Sequence, residues 1–308
     1  MPRVQSAPYR FEAAEALVEG FGLISATPDV ATAYAEIKTR GAGAEGLGDL
    51  VWSLCRSHAP PIGDAACSVR LIGADRAAAR LGVSGKGIRI GQPDTGVALH
   101  DALAAGVDRA AGFDVLANRP DPTDPLLPGM SAPGRGTGTG SVVIARPGAG
   151  VAGAAPGATL VPVRCIEGLV IGSGTAVARA IDHARAAGCR VITMSLGGPF
   201  AGLELRRAIA RAVRDDLIVL AAAGNCVGVV VYPAWDRNVI AVAGVDAQGR
   251  RWKWSCAGPE VDVAAPAENV HVARRDAVPA GHVPTPAERG PSGRGSPRTH
   301  RAPPLPWR

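Results

Sequence analysis

Aromatic side chains are scarce in this chain, 4% of its 308 residues, whereas glycine occurs 40 times and the hydrophobic share is 47%. Few aromatics and many small residues speak against an aromatic-rich β-sandwich. They favour helices packed closely on a sheet, with glycine at the turns. Long apolar runs are missing too: nowhere do the roughly eighteen consecutive apolar residues of a membrane-spanning helix occur. The N-terminus, MPRVQSAPYRFEAAEALVEG, holds no uninterrupted apolar segment of the kind a secretory leader carries. No membrane partner and a cytoplasmic location are the expectations. Six cysteines, at 55, 67, 165, 189, 226 and 256, show neither C-x-x-C nor Cys/His spacing. Nothing in that spacing suggests zinc, and the cysteines read as reduced thiols, mostly small buried hydrophobes. The formal charge of +6 is concentrated in residues 273–308, where seven arginines face only Asp276 and Glu288. The rest of the chain is near neutral, so no nucleic-acid groove is implied.

Three regions differ in composition. Residues 1–80 read as a helix around 11–20 and further Ala-rich helical stretches broken by GAGAEGLG, an accessory or propeptide-like segment. Residues 81–272 alternate strand and helix patterns. Residues 273–308 hold eight prolines and almost no aliphatics, and read as a disordered basic tail. In the middle region, strands are predicted at 88–93, 159–164, 190–196, 217–223, 239–245 and 261–265. Between them, Val177, Ala180, Ile181 and Ala184 keep helical spacing, with Gly188 placed to end that helix. Leu205, Ala208, Ile209, Ala212 and Val213 repeat the pattern. Near-continuous apolar strands alternating with helices predict an α/β fold, a three-layer α/β/α sandwich around a mostly parallel sheet. Functional groups in such sheets gather at the carboxyl ends of the strands, where Asp94, Ser195 and Asn225 all fall.

The stretch GKGIRIGQPDTG, ending at Gly96, delivers a carboxylate from a buried strand into a tight turn. Pro93, Thr95 and Gly96 are expected to stop the strand around Asp94, which by itself is as consistent with a turn former as with a catalyst.

Read in order, GQPDTGV, PGRGTGTGSVVIA, GVAGAAPGATLVPVR, VITMSLGG, LAAAGN, YPA, VIAVAGV and VDVAAPAENV resemble the subtilisin-like serine proteases, the subtilases. The resemblance implies a seven-stranded parallel core, a Ser-His-Asp triad, a side-chain amide in the oxyanion hole and a peptide or protein substrate. Asp94 matches the triad aspartate and Asn225 the oxyanion amide. Ser195, Leu196, Gly197 and Gly198 match the segment that pairs with substrate backbone, and their glycines suggest an open edge for an extended peptide. A plain turn is the alternative.

Two triad positions depart from the family. Its G-H-G-T motif reads Gly134, Arg135, Gly136, Thr137 here, and a guanidinium cannot accept the serine proton. A salt bridge from Arg135 to Asp94 is the expected replacement. No other histidine stands in: His183, off the apolar stripe of its helix, is expected to be solvated, and His100 follows the Asp94 turn too closely. The family's G-T-S-x-A helix is absent. Ser292 lies at a suitable distance past Asn225 but between Pro291 and Gly293, with no helix-forming run behind it. The abrupt change of composition is what a shifted reading frame in a GC-rich gene would give; a dedicated basic tail is the alternative.

No cofactor is expected. Calcium occurs in the family, and Asp121 and Asp124 in NRPDPTDPLLPG are the candidate ligands, but two acids fall short of the six to eight oxygens calcium takes. Three functions remain open. One is a serine endopeptidase by descent, inactive here for want of base and nucleophile. Another is a non-catalytic peptide-binding pseudoprotease. The third is a nucleotide-binding protein using GRGTGTG as a phosphate cradle, a loop that fits neither G-x-G-x-x-G nor a Walker pattern.

Overall fold

Apolar runs bounded by glycine turns form strands, and helical stripes between them form the covering layers. The computed structural model describes residues 64–273 except 126–133, 149, 168–170, 172, 199, 201, 226–228, 253–254 and 269. Its strands are β1 (Arg89–Asp94), β2 (Phe113–Asp114), β3 (Thr159–Arg164), β4 (Val191–Met194), β5 (Ile218–Ala222), β6 (Ile240–Val245) and β7 (Val263–Pro266). They make one seven-stranded sheet in the order β2-β3-β1-β4-β5-β6-β7, parallel at every pairing. Among the described residues the helices are α1 (Cys67–Leu71), α2 (Ala74–Leu81), α3 (Asp101–Ala104), α4 (Arg135–Ile144), α5 (Gly174–Ala186) and α6 (Leu203–Arg214).

Strand order reverses at β1: the chain lays β2 and β3 on one side and β4 to β7 on the other. The carboxyl end of β1 is therefore a topological switch point, where open α/β sheets form a crevice. β1 runs through Pro93 to Asp94 rather than stopping before it. Pro93 lies past the last rung of the β1–β4 ladder, at Gly91, so its missing N–H removes nothing on that side.

Helix α5 opens with Ser173 Oγ accepting from Ala176 N at 3.3 Å and is followed by Gly188 at φ 74°. Its stripe of Val177, Ala180, Ile181 and Ala184 is buried, as are Leu205, Ala208, Ile209 and Ala212 of α6. Both helices cover one sheet face, closing over Val163, Ile192, Met194, Val219 and Ala241. On the other face α4 covers β1 and β3, with Ile144 against Ile90 and Leu160. Further along that face, among the described residues, Ile218 and Ile240 pack with Val191, Leu220, Val242 and Val263, all strand residues. No described helix lies over them.

The two-residue β2 carries too little pattern to be read from the sequence. What fixes it is an ion pair inside the protein, Arg164 Nη1 to Asp114 Oδ2 at 2.8 Å, with side chains 6% and 0% exposed. Among the described residues, removing Asp114 leaves the buried Arg164 guanidinium only the 62%-exposed Glu167, 3.2 Å from its Nη2, as an ionic partner. Asp114→Ala is expected to cost about 3–5 kcal/mol in denaturant titration, and a loss below about 1 kcal/mol would mean that water reaches Arg164.

His183 corrects an expectation. It is half-buried, stacked on Phe113 with centroids 5.1 Å apart, and its Nε2 lies 2.8 Å from the Ala111 carbonyl. Its position between α5 and the β2 edge, not its place on the helical wheel, decides its burial. The described part of residues 1–80 contains α1 and most of α2; the helix expected around 11–20 lies outside the described residues, as does the tail from 274 onward.

Candidate active site

Asp94 ends β1 at the switch point and is 1% exposed. Its Oδ1 accepts from Thr95 N at 2.8 Å and from Arg135 Nη1 at 3.2 Å. The expected salt bridge is present, and Arg135, 18% exposed, reaches the carboxylate from the first turn of α4. Asp94 Oδ2 also accepts from Thr139 Oγ1 at 3.0 Å, and that hydroxyl accepts from Gln92 Nε2 at 2.7 Å. Gln92 Nε2 donates to the Gly136 carbonyl as well, at 2.9 Å, which fixes the orientation of the amide. Thr139 and Gln92 were not foreseen; the one signal was a glutamine inside a strand otherwise due to be buried.

The GRGTGTG segment is helix rather than a phosphate loop. Its glycines let α4 settle on the Asp94 turn. A Cβ on Gly136 would run into the Gly96 carbonyl, while Gly136 N donates to Thr95 Oγ1 at 3.0 Å.

Ser195 and Asn225 line one cleft of about 270 Å³ at the carboxyl ends of β4 to β7, together with Thr193, Ala222, Ser255 and Ala265. Asn225 is exposed and lines the cleft, and its backbone bridges to Ser255. Leu196 is buried. The edge along Ser195–Gly198 is less open than the glycines suggest. Gly198 pairs both ways with Tyr232, at 2.9 and 3.0 Å, and the Gly197 carbonyl accepts from Ile171 N at 3.0 Å. The structure thus joins Asp94 to Arg135, and Ser195 to Asn225, while Ser292 lies outside the described residues.

Cys165 adjoins the Asp94 side of the site, since its N donates to the Asp94 carbonyl at 2.9 Å. Burial, reinforced by the Asp94 carboxylate, pushes this thiol well above its ordinary range. It stays protonated and is no substitute nucleophile. Burial likewise pushes Cys189 up to about 12. Cys67, Cys165, Cys189 and Cys256 are free thiols, as read from the sequence.

Asp121 and Asp124 do not suit calcium. Asp124 is 2% exposed and takes the Thr95 hydroxyl at 2.8 Å, while Asp121 faces Arg119 at 3.3 Å. Among the described residues no group of three or more His, Cys, Asp or Glu is placed to hold a metal.

A profile of the subtilase family matches residues 85–296. The chain belongs to the subtilases. It is 37% identical to thermitase of Thermoactinomyces vulgaris over 188 residues, 59% of this chain and 63% of that protein. It is 34% identical to a thermostable alkaline protease of Halalkalibacterium halodurans over 194 residues, 62% of this chain and 50% of that protein. With subtilisin DY of Bacillus licheniformis the identity is 32% over 211 residues, 66% of this chain and 72% of the relative. The chain thus spans between half and three quarters of these relatives. A crystal structure of MycP1 with its N-terminal propeptide removed superposes with a TM-score of 0.55 at 25% identity, over 73% of this chain and 76% of that one. The all-parallel sheet is therefore a subtilase sheet. In this subtilase the group paired with Asp94 is a guanidinium, which can only donate.

Proposed function

We propose that this subtilase does not hydrolyse peptide bonds as the chain stands and keeps a peptide-holding edge at Ser195–Gly198. The observation that carries the reading is the Arg135–Asp94 ion pair. Triad catalysis needs a neutral nitrogen to take the serine proton, and an aspartate to hold that nitrogen's tautomer and stabilise the cation formed. Here the aspartate is already neutralised by a permanent cation. Asn225 keeps a donor suited to a developing oxyanion, and Ser195 still shares its cleft. On this reading residues 81–272 are an incomplete peptidase domain, 1–80 an accessory segment and 273–308 a basic tail.

A second reading has one observation in its favour. The family match continues to residue 296, so Ser292 falls inside it. A fluorophosphonate probe separates the two, because it reports an activated serine without requiring a substrate. The purified chain is expected to remain unlabelled; labelling at Ser292 would establish the second reading and overturn the first.

A further inference from the structure

The β1–β4 ladder pairs Ile90 with Val191 and Gly91 with Ile192. Carried on at the same register it sets Asp94 opposite Ser195, and the β4–β5 ladder, which pairs Met194 with Ala221, sets Ser195 opposite Ala222. Residues opposite one another in a parallel sheet share a face. Gln92 and Asp94 show which face it is, because both bond to α4. The Arg135–Asp94 pair and the cleft at Ser195, Ala222 and Asn225 therefore lie on one face, with one strand spacing of about 5 Å between Asp94 and Ser195.

Among the described residues no Asp, Glu, Lys, Arg or His lines that cleft, so no carboxylate within it repels an anion. The pair at its flank keeps cationic capacity. Asp94 takes two donors besides Arg135, Thr95 N and Thr139 Oγ1. Arg135 serves it through Nη1 alone, at 3.2 and 3.4 Å, and is 18% exposed. A guanidinium has five N–H donors, and those on Nε and Nη2 bond to no described residue.

An extended peptide laid antiparallel to Ser195–Gly198 runs toward Ser195, because that segment runs away from β4. Its N–H takes the place of Ile171 N at the Gly197 carbonyl. A peptide that ends there brings its last carboxylate between the guanidinium and Asn225. We propose that the site holds the free C-terminal carboxylate of a peptide, with Arg135 pairing with one oxygen and the Asn225 amide donating to the other. The assignment rests on the peptide-holding reading above. A permanent cation at 135 selects for an anion, and an internal peptide bond has none to offer. A C-terminal amide turns its own N–H toward the guanidinium, donor against donor, and forfeits the charge-assisted bonds.

The test uses the full chain and one fluorescein-labelled tetrapeptide, Ala-Val-Ala-Ala, as the free acid and as the C-terminal amide, followed by fluorescence anisotropy at pH 7. The unchanged protein is expected to bind the acid at least about tenfold more tightly than the amide. Arg135→Gln is expected to bring the acid down to the amide, and Arg135→Lys to keep part of the preference. Equal binding of acid and amide by the unchanged protein would overturn the assignment while leaving the peptide-holding reading in place, and that comparison needs no variant to fold. A preference that persists in folded Arg135→Gln would put the cation elsewhere, the basic residues of 273–308 included, and overturn it too. If neither peptide binds the unchanged protein, the peptide-holding reading itself falls, and the assignment with it.

Discussion

Arg135→His by itself is expected to give no detectable proteolysis, whereas the same change joined to a C-terminal segment carrying G-T-S-x-A in place of residues 273–308 is expected to restore it. Histidine at 135 would regain a base, and Asp94 is already placed at the end of β1, 1% exposed and aimed at that position. Base and aspartate alone have nothing to activate. In subtilisin, a relative, loss of the serine alone lowers turnover by about 2 × 10⁶, as much as loss of the whole triad. In the repaired protein Asn225→Ala should then lower turnover by roughly 10² to 10³, the effect of removing one oxyanion donor. Casein hydrolysis together with fluorophosphonate labelling measures all three. A fluorophosphonate-sensitive protease from Arg135→His alone would make Ser292 the nucleophile and refute the inactive reading.

The unchanged chain is expected to melt broadly, bind a hydrophobic dye and exchange its β6 and β7 amides well before those of β1 and β3. Parallel sheets are normally covered on both faces. Here, among the described residues, Leu220, Val242 and Val263 pack with strand residues on the face away from α5 and α6. If about 600 Å² of apolar surface stays uncovered, the forgone burial at about 25 cal/mol per Å² is about 15 kcal/mol. That is as large as the whole stability of an ordinary domain, about 5–15 kcal/mol. Calorimetry and hydrogen exchange check this: a single sharp transition with uniform protection across β1 to β7 would show that the face is covered.

The amino-acid sequence by itself determined where β1, β3 to β7, α5 and α6 lie, though not β2, α3 or α4, because burial on a sheet or helix imposes a period that can be read locally. The stripe on α5 and the apolar cores of β3, β5 and β6 needed no tertiary information. Resemblance to the family's G-H-G-T motif also pointed to the pairing of Arg135 with Asp94, which the structure shows. Chain order alone could not say which residues meet across the sheet. Thr139 and Gln92 converge on Asp94 only because α4 lies on β1, with Gly136 against the Gly96 carbonyl. His183 is half-buried because the β2 edge, too short to be read, supplies Phe113. Val231 fills the gap between Gly197 and Gly224 because two neighbouring strands release their chains side by side and a third segment folds back between them. These are contacts between residues far apart in the chain, fixed by the packing of rigid elements, and no local period encodes them.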